Sequence, residues 1–232
     1  MIGARVVRSR PRGADAPFVY GRVANLYDAW MRMAGFARGV EQFLDRLAWR
    51  LPARPRILDA GAGTGIMGLW CLRRFPESEV VAFDIDRRML GVLSRTARRR
   101  LGAERRRLLV AHGDLRAPAV VTRLDTGQAV ALAAQSFDAV LVGAALEHVP
   151  LDASVEALAR LLRPGGVLLN LGVRPGPPAA VLARLYHFRP YATDEVRAAL
   201  LRLAFRDVQV HPLAPGDFPA NLTRIAVIGR KP

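Results

Sequence analysis

Residues 57–68 read Ile57-Leu58-Asp59-Ala60-Gly61-Ala62-Gly63-Thr64-Gly65-Ile66-Met67-Gly68, an apolar strand that runs into glycines at alternate positions and then into a helix. Glycine there lets the main chain turn sharply and lets a ligand approach it without a Cβ in the way. A loop at the carboxyl end of a first strand lies where open α/β sheets bind ligands. Nineteen residues beyond Gly65 the next strand ends in Asp84, a carboxylate able to accept hydrogen bonds from both hydroxyls of a ribose. Together these residues indicate an adenosine-type cofactor. A dinucleotide fingerprint, G-x-G-x-x-G, would place its third glycine at position 66, which is Ile66, and the G-x-x-x-x-G-K-[ST] pattern of a phosphate-binding loop does not occur. Asp59, just ahead of the glycines, would repel a pyrophosphate and suits a cofactor carrying an ammonium and a sulfonium. A cationic, phosphate-free adenosine fits best.

Outward from this stretch, short β-branched or leucine runs alternate with helical stripes, which argues a parallel sheet. The strands expected are 56–59, 80–84, 108–111, 139–142 and 167–171, followed by 207–210 and 224–229. Between them Leu90, Leu93, Ala97 and Leu101 form one helical stripe, and Val155, Leu158 and Leu162 another. Pro164-Gly165-Gly166 reads as the turn that ends the latter. A last helix is expected over 194–205 behind Thr193 as its N-cap. Ahead of the core, 20–33 and 36–50 look helical, the second closed by Pro52 and Pro55. The fold expected is therefore α/β and Rossmann-like, a doubly wound, mostly parallel sheet of seven strands with an N-terminal helical cap. It forms a single domain over 1–232: a tail (1–17), the cap (18–50), and a core (51–232) carrying a lid segment (174–191).

The 232 residues are 51% hydrophobic and 24% charged, with a mean hydropathy of +0.13, which excludes intrinsic disorder for most of the chain. Cys71 is the one cysteine, so no disulfide framework and no cysteine-based metal site is expected, and a reducing cytoplasm is the plain reading. No export signal and no membrane-spanning run is legible. Thirty-five basic against twenty acidic residues give +15, a field that speeds encounters with phosphate-bearing surfaces. Its densest part is the run Arg95, Arg98, Arg99, Arg100, Arg105, Arg106 and Arg107, which reads first as a solvated helix face and second as a contact for an anionic membrane or RNA. No aromatic platform accompanies the run, which weakens nucleic acid relative to lipid.

In ordered succession, Leu58-Asp59-Ala60-Gly61-Ala62-Gly63-Thr64-Gly65, Phe83-Asp84-Ile85-Asp86, Gly113-Asp114, Ser136-Phe137-Asp138-Ala139-Val140 and Leu161-Leu162-Arg163-Pro164-Gly165-Gly166 resemble the class I S-adenosylmethionine-dependent methyltransferases. The resemblance runs from about Val40 to the C-terminus. It implies S-adenosylmethionine as cofactor and S-adenosylhomocysteine as product. Asp59, Gly61, Gly63 and Gly65 would face the methionine portion, Asp84 would hold the ribose, Ile85 would pack on adenine, and Asp114 would accept from the adenine amino group. Leu115 and Gly143 would complete the cofactor site. The opening Asn25-Leu26-Tyr27-Asp28-Ala29-Trp30 is similar to the cap of the small-molecule branch, which includes quinone-biosynthesis enzymes. One departure is length: Asp114 to Phe137 is longer than this branch usually has, so 118–130 reads as an insertion.

Methyl transfer from a sulfonium is an in-line displacement that needs alignment and exclusion of water more than a nucleophile. A base helps when the acceptor must lose a proton. His148, after the fourth strand, is the best-placed candidate, with Tyr27 a second; Trp30, Tyr186, His187 and Tyr191 are candidates to line the acceptor site. The fourth strand ends Leu141-Val142-Gly143-Ala144 and not in an Asn-Pro-Pro-Tyr motif, which disfavours a flipped base as substrate. The reading is methyl transfer to a small-molecule or lipid-like acceptor without a metal. The alternatives are an RNA methyltransferase using the basic surface, a non-catalytic protein that binds the cofactor, and, remotely, a nicotinamide oxidoreductase.

Overall fold

The near-continuous apolar runs become strands covered on both faces, as parallel strands must be. The computed structural model of the protein describes residues 35–176 and 188–232. Strand β1 (Arg56–Ala60) pairs in parallel with β2 (Glu79–Asp84) on one side and β6 (Phe137–Gly143) on the other. β3 (Leu108–His112) continues beyond β2, and β7 (Leu162–Val173) beyond β6, again in parallel. β9 (Arg224–Arg230) then runs antiparallel between β7 and β8 (Arg206–Pro212). Helices α1 (Phe36–Arg46), α2 (Ile66–Arg74) and α3 (Arg87–Leu101) share one buried cluster with Ile57, Val80 and Leu141. Helices α4 (Leu151–Leu161) and α5 (Thr193–Arg202) share the other with Leu58, Val140 and Leu168. The architecture is the doubly wound, Rossmann-like one expected.

Among the described residues the sheet has nine strands and not seven; with β4 (Val120–Arg123) and β5 (Ala129–Ala131) its order is β5-β4-β3-β2-β1-β6-β7-β9-β8. The two extra strands come from the insertion. β4 and β5 form an antiparallel hairpin on the free side of β3. Val121 and Val130 supply the β-branched residues, Gly127 turns with φ 72°, and Val121 is buried in the core; such a pair around a glycine turn is a hairpin signal.

Three further boundaries differ from expectation. α1 stops at Arg46, with Leu47 already extended, so it ends before the prolines are reached. Pro164-Gly165-Gly166 lies inside the span of β7, where Gly165 N–H donates to Lys231 O at 3.0 Å and Lys231 N–H to Gly166 O at 2.8 Å. The N-cap of α5 is Ala192, not Thr193; the Glu195 carboxylate does the capping by accepting Ala192 N–H at 2.8 Å. Residues 1–34, and with them the tail and most of the cap, lie outside the described residues.

Arg107 belongs to this framework and not to the surface run. Its guanidinium donates to Leu72 O and Ser78 O at 3.1 Å, to Phe75 O at 3.4 Å and to Glu104 at 2.8 Å, satisfying carbonyls at the end of α2. Among the described residues no helix is long and apolar enough to cross a membrane. Arg107→Ala is expected to lower stability by about 1–3 kcal/mol, because it leaves partly buried carbonyls without donors. Arg106→Ala is expected to stay within about 0.5 kcal/mol; urea unfolding of the two variants checks the difference.

Candidate active site

The loop from β1 to α2 passes through three left-handed glycines, Gly61, Gly63 and Gly65, with φ of 70°, 54° and 83°. A Cβ on Gly61 would overlap the methyl of Ala145, so glycine lets the segment after β6 close on the loop. Gly63 differs: no atom lies within 4 Å of where its Cβ would be, which leaves its side of the loop open to a ligand. Gly63 N–H donates to Asp84 Oδ2 at 2.7 Å, and Asp86 N–H to Asp84 Oδ1 at 2.8 Å. Burial raises the Asp84 pKa while these amides pull it back. Each of its oxygens keeps a further acceptor position. Beside it the Ile85 side chain is 59% exposed, an apolar surface without a cover.

Asp59 is fully buried. Its Oδ2 accepts Gly68 N–H at 2.8 Å in the first turn of α2, and its Oδ1 has no hydrogen-bond partner. Desolvation pushes its pKa up to about 7, against the pull of the Gly68 amide. A buried carboxylate oxygen without a partner is costly unless a donor or cation satisfies it, so the chemistry here fits a cofactor with an ammonium group.

The remaining expected residues fall at the same carboxyl edge of the sheet. Asp114 is held by Arg116, whose Nε and terminal nitrogen lie 2.9 and 2.6 Å from Oδ2, and this guanidinium lowers its pKa. Leu115 is buried and packs towards Gly61. Gly143 ends β6, and a Cβ there would meet Met67 Cε at 2.8 Å; Met67 was not legible as part of this packing. His148 closes a short 3₁₀ turn, Leu146–His148, with its ring 5.4 Å from that of Phe188. His148 is exposed, yet desolvation of the part packed against the protein lowers its pKa from the ordinary 6.5, partly opposed by Glu147 and Asp84. Tyr191 joins this group, its hydroxyl donating to Val149 O at 2.8 Å. Tyr27, Trp30, Tyr186 and His187 lie outside the described residues.

Glu147 went unnoticed in the sequence. It is buried, its Oε1 accepts Val173 N–H at 2.6 Å, and its carbonyl accepts Arg189 N–H at 3.2 Å. It thereby fastens the His148 turn to the end of β7 and to Arg189 near the end of the lid segment. The only local hint was a carboxylate next to a histidine just after a strand.

A family model described as a methyltransferase domain matches residues 58–168. The chain is 30% identical over 184 residues to the ubiquinone/menaquinone biosynthesis C-methyltransferase of Syntrophotalea carbinolica, covering 75% of this chain and 67% of that protein. It is also 30% identical over 252 residues to the malonyl-(acyl-carrier protein) O-methyltransferase of Geobacter sulfurreducens, covering 99% and 82%. The chain belongs to the class I S-adenosylmethionine-dependent methyltransferases. Its fold is similar to that of geranyl diphosphate C-methyltransferase from Streptomyces coelicolor, solved with Mg2+, geranyl diphosphate and S-adenosyl-L-homocysteine. The TM-score is 0.65 at 13% identity, over 96% of this chain and 91% of that one. The methyltransferase takes S-adenosylmethionine as its cofactor.

Two measurements on cofactor binding follow. By isothermal titration, Asp84→Asn and Asp84→Ala should each weaken S-adenosylmethionine binding by roughly tenfold or more, the loss expected of hydrogen bonds to a charged acceptor; unchanged affinity would remove Asp84 from the site. The raised Asp59 pKa means that the free enzyme loses stability as pH rises from the unfolded carboxylate value of about 4 towards 7, whereas a cation binds the ionised form. Binding should therefore tighten with pH through about 7, with proton release, and Asp59→Asn should flatten that dependence.

Proposed function

We propose that this methyltransferase acts on an apolar small-molecule or lipid-soluble acceptor that gives up a proton as it is methylated, with His148 receiving that proton. The observation that carries the reading is the contact of Ala145 with Gly61. It sets the His148 turn against the cofactor loop, with the Phe188 ring 5.4 Å from that of His148 and the Tyr191 hydroxyl bonded to Val149 O. Rings and aliphatic groups at the mouth of a site favour an apolar or aromatic guest. The relative named for quinone biosynthesis and the structural neighbour named for geranyl diphosphate support the same class, whereas the relative named for malonyl-(acyl-carrier protein) takes a different acceptor.

When bound, S-adenosylmethionine supplies a methyl group activated by a sulfonium. Around it Asp59 would meet the ammonium with its free oxygen, and Gly61, Gly63 and Gly65 would let the main chain follow the methionine portion. Asp84 would hold the ribose hydroxyls, Ile85 would cover one face of adenine, and Asp114 would accept from the adenine amino group while still paired to Arg116. Leu115 and Gly143 would shape the cavity wall. His148, its pKa lowered by desolvation, is neutral at physiological pH and so ready to accept a proton at a ring nitrogen. Tyr27, Trp30, Tyr186, His187 and Tyr191 complete the proposal as acceptor-facing residues.

A screen of reduced quinones, other phenols and phospholipid headgroups for S-adenosylhomocysteine release is expected to give turnover with the apolar ring compounds. Tight cofactor binding with no turnover on any of them would overturn the acceptor class. On an active acceptor, kcat/KM should rise with pH along a limb centred below 6.5, where His148 loses its proton. His148→Gln should abolish that limb and lower kcat by about a hundredfold or more, with cofactor affinity unchanged. A limb that survives in His148→Gln would remove His148 from the role of base.

A further inference from the structure

Helix α3 and the turn after it carry more than half of the protein's net charge. From Arg87 to Arg107 there are nine arginines and one acid, Glu104, a net +8 out of +15. On the other face of the sheet, α4 and α5 hold Arg160, Arg197 and Arg202 against Asp152, Glu156, Asp194 and Glu195, a net −1. The charge is thus one-sided, and within α3 it is arranged. At about 100° per residue, Arg87, Arg88, Arg95, Arg98 and Arg99 fall within one arc of roughly 120° over about 18 Å of helix. The one other helical position in that arc is Gly91, across which Arg95 lies, with Nη1 at 3.5 Å from the ideal Cβ site. All five arginines are exposed, and among the described residues none is in an ion pair. Glu104 is taken by Arg106 and Arg107.

We propose that this strip docks the enzyme on an anionic lipid surface. Guanidinium groups bind phosphate oxygens in bidentate fashion. Five of them on one side of the helix, with a glycine where another side chain would stand proud, match a plane of phosphates. Among the described residues no carboxylate is paired with the row to relieve its mutual repulsion, and an anionic leaflet relieves it. No aromatic side chain stands in the arc to stack a base, which sets the strip apart from a single-stranded nucleic acid track. The strip begins two residues after exposed Ile85, so docking brings the rim of the cofactor crevice towards the surface. The inference holds whatever the acceptor is.

The test is co-sedimentation of the full-length enzyme with vesicles of phosphatidylcholine alone or with roughly a third phosphatidylglycerol, at about 0.1 M salt. The variants are Arg95→Gln/Arg98→Gln/Arg99→Gln on the strip and Arg160→Gln/Arg197→Gln/Arg202→Gln on the opposite layer. Each removes three charges, from +15 to +12, so that position and net charge are separated, and cofactor affinity reports that both remain folded. The wild type is expected to bind only the anionic vesicles. The strip variant should bind at least about tenfold more weakly, and the opposite-layer variant within about threefold of wild type. Equal losses in the two variants, or no binding of the wild type, would overturn the proposal. So would release from the vesicles by total RNA at equal phosphate, which would assign the strip to nucleic acid.

Discussion

Asp84, through its carboxylate and its carbonyl, ties together three lengths of main chain at the crest of the sheet. One oxygen takes the amide of Gly63 from the glycine loop and the other takes the amide of Asp86 at the start of α3. The carbonyl of the same residue takes Gly113 N–H from the loop after β3. The crest of the sheet is therefore held by the protein's own hydrogen bonds, and a site so held spends less ordering entropy on binding. Asp59 is the counterpart left incomplete, with one oxygen tied to α2 and the other buried without a partner. The first carboxylate shapes the cradle, and the second leaves a demand in it that a cation answers.

Opposite the cradle, acceptor chemistry depends on a separate set of bonds. Glu147, Arg189, Tyr191 and Val149 join the turn after β6 to the segment after 187 and to the end of β7. The two halves touch at Gly61 and Ala145. This division suits a fold in which a constant donor site meets variable acceptors: loops on the acceptor side can change while the hydrogen bonds around Asp84 stay as they are.

The parts of this arrangement that were legible in the sequence are those written in local pattern. The glycine spacing, the carboxylate closing β2 and the apolar runs of the five parallel strands all depend on neighbours a few residues away. The hairpin was missed as structure because β4 and β5 span only four and three residues, too short for alternation to stand out. The capping of α5 was misassigned by one residue because Glu195, not a hydroxyl, supplies the acceptor. Glu147 escaped because its partner amide, at Val173, is 26 residues away, a pairing that exists only once β6 and β7 lie together. The arginine run shows the same limit. Arg107 looks like its neighbours in the sequence, yet its guanidinium is turned inward to the carbonyls of Leu72, Phe75 and Ser78.

The β4–β5 hairpin also changes what the molecule offers to other chains. Without the hairpin, the flank of β3 away from β2 would have no ladder partner at Ala111 and His112, and an unpaired edge is a template on which foreign strands add. The hairpin pairs with the end of β3 at Ala111 and His112, and the strand beyond it, β5, is three residues long, a ladder too brief to recruit a further strand. The insertion is thus a hem along that end of β3.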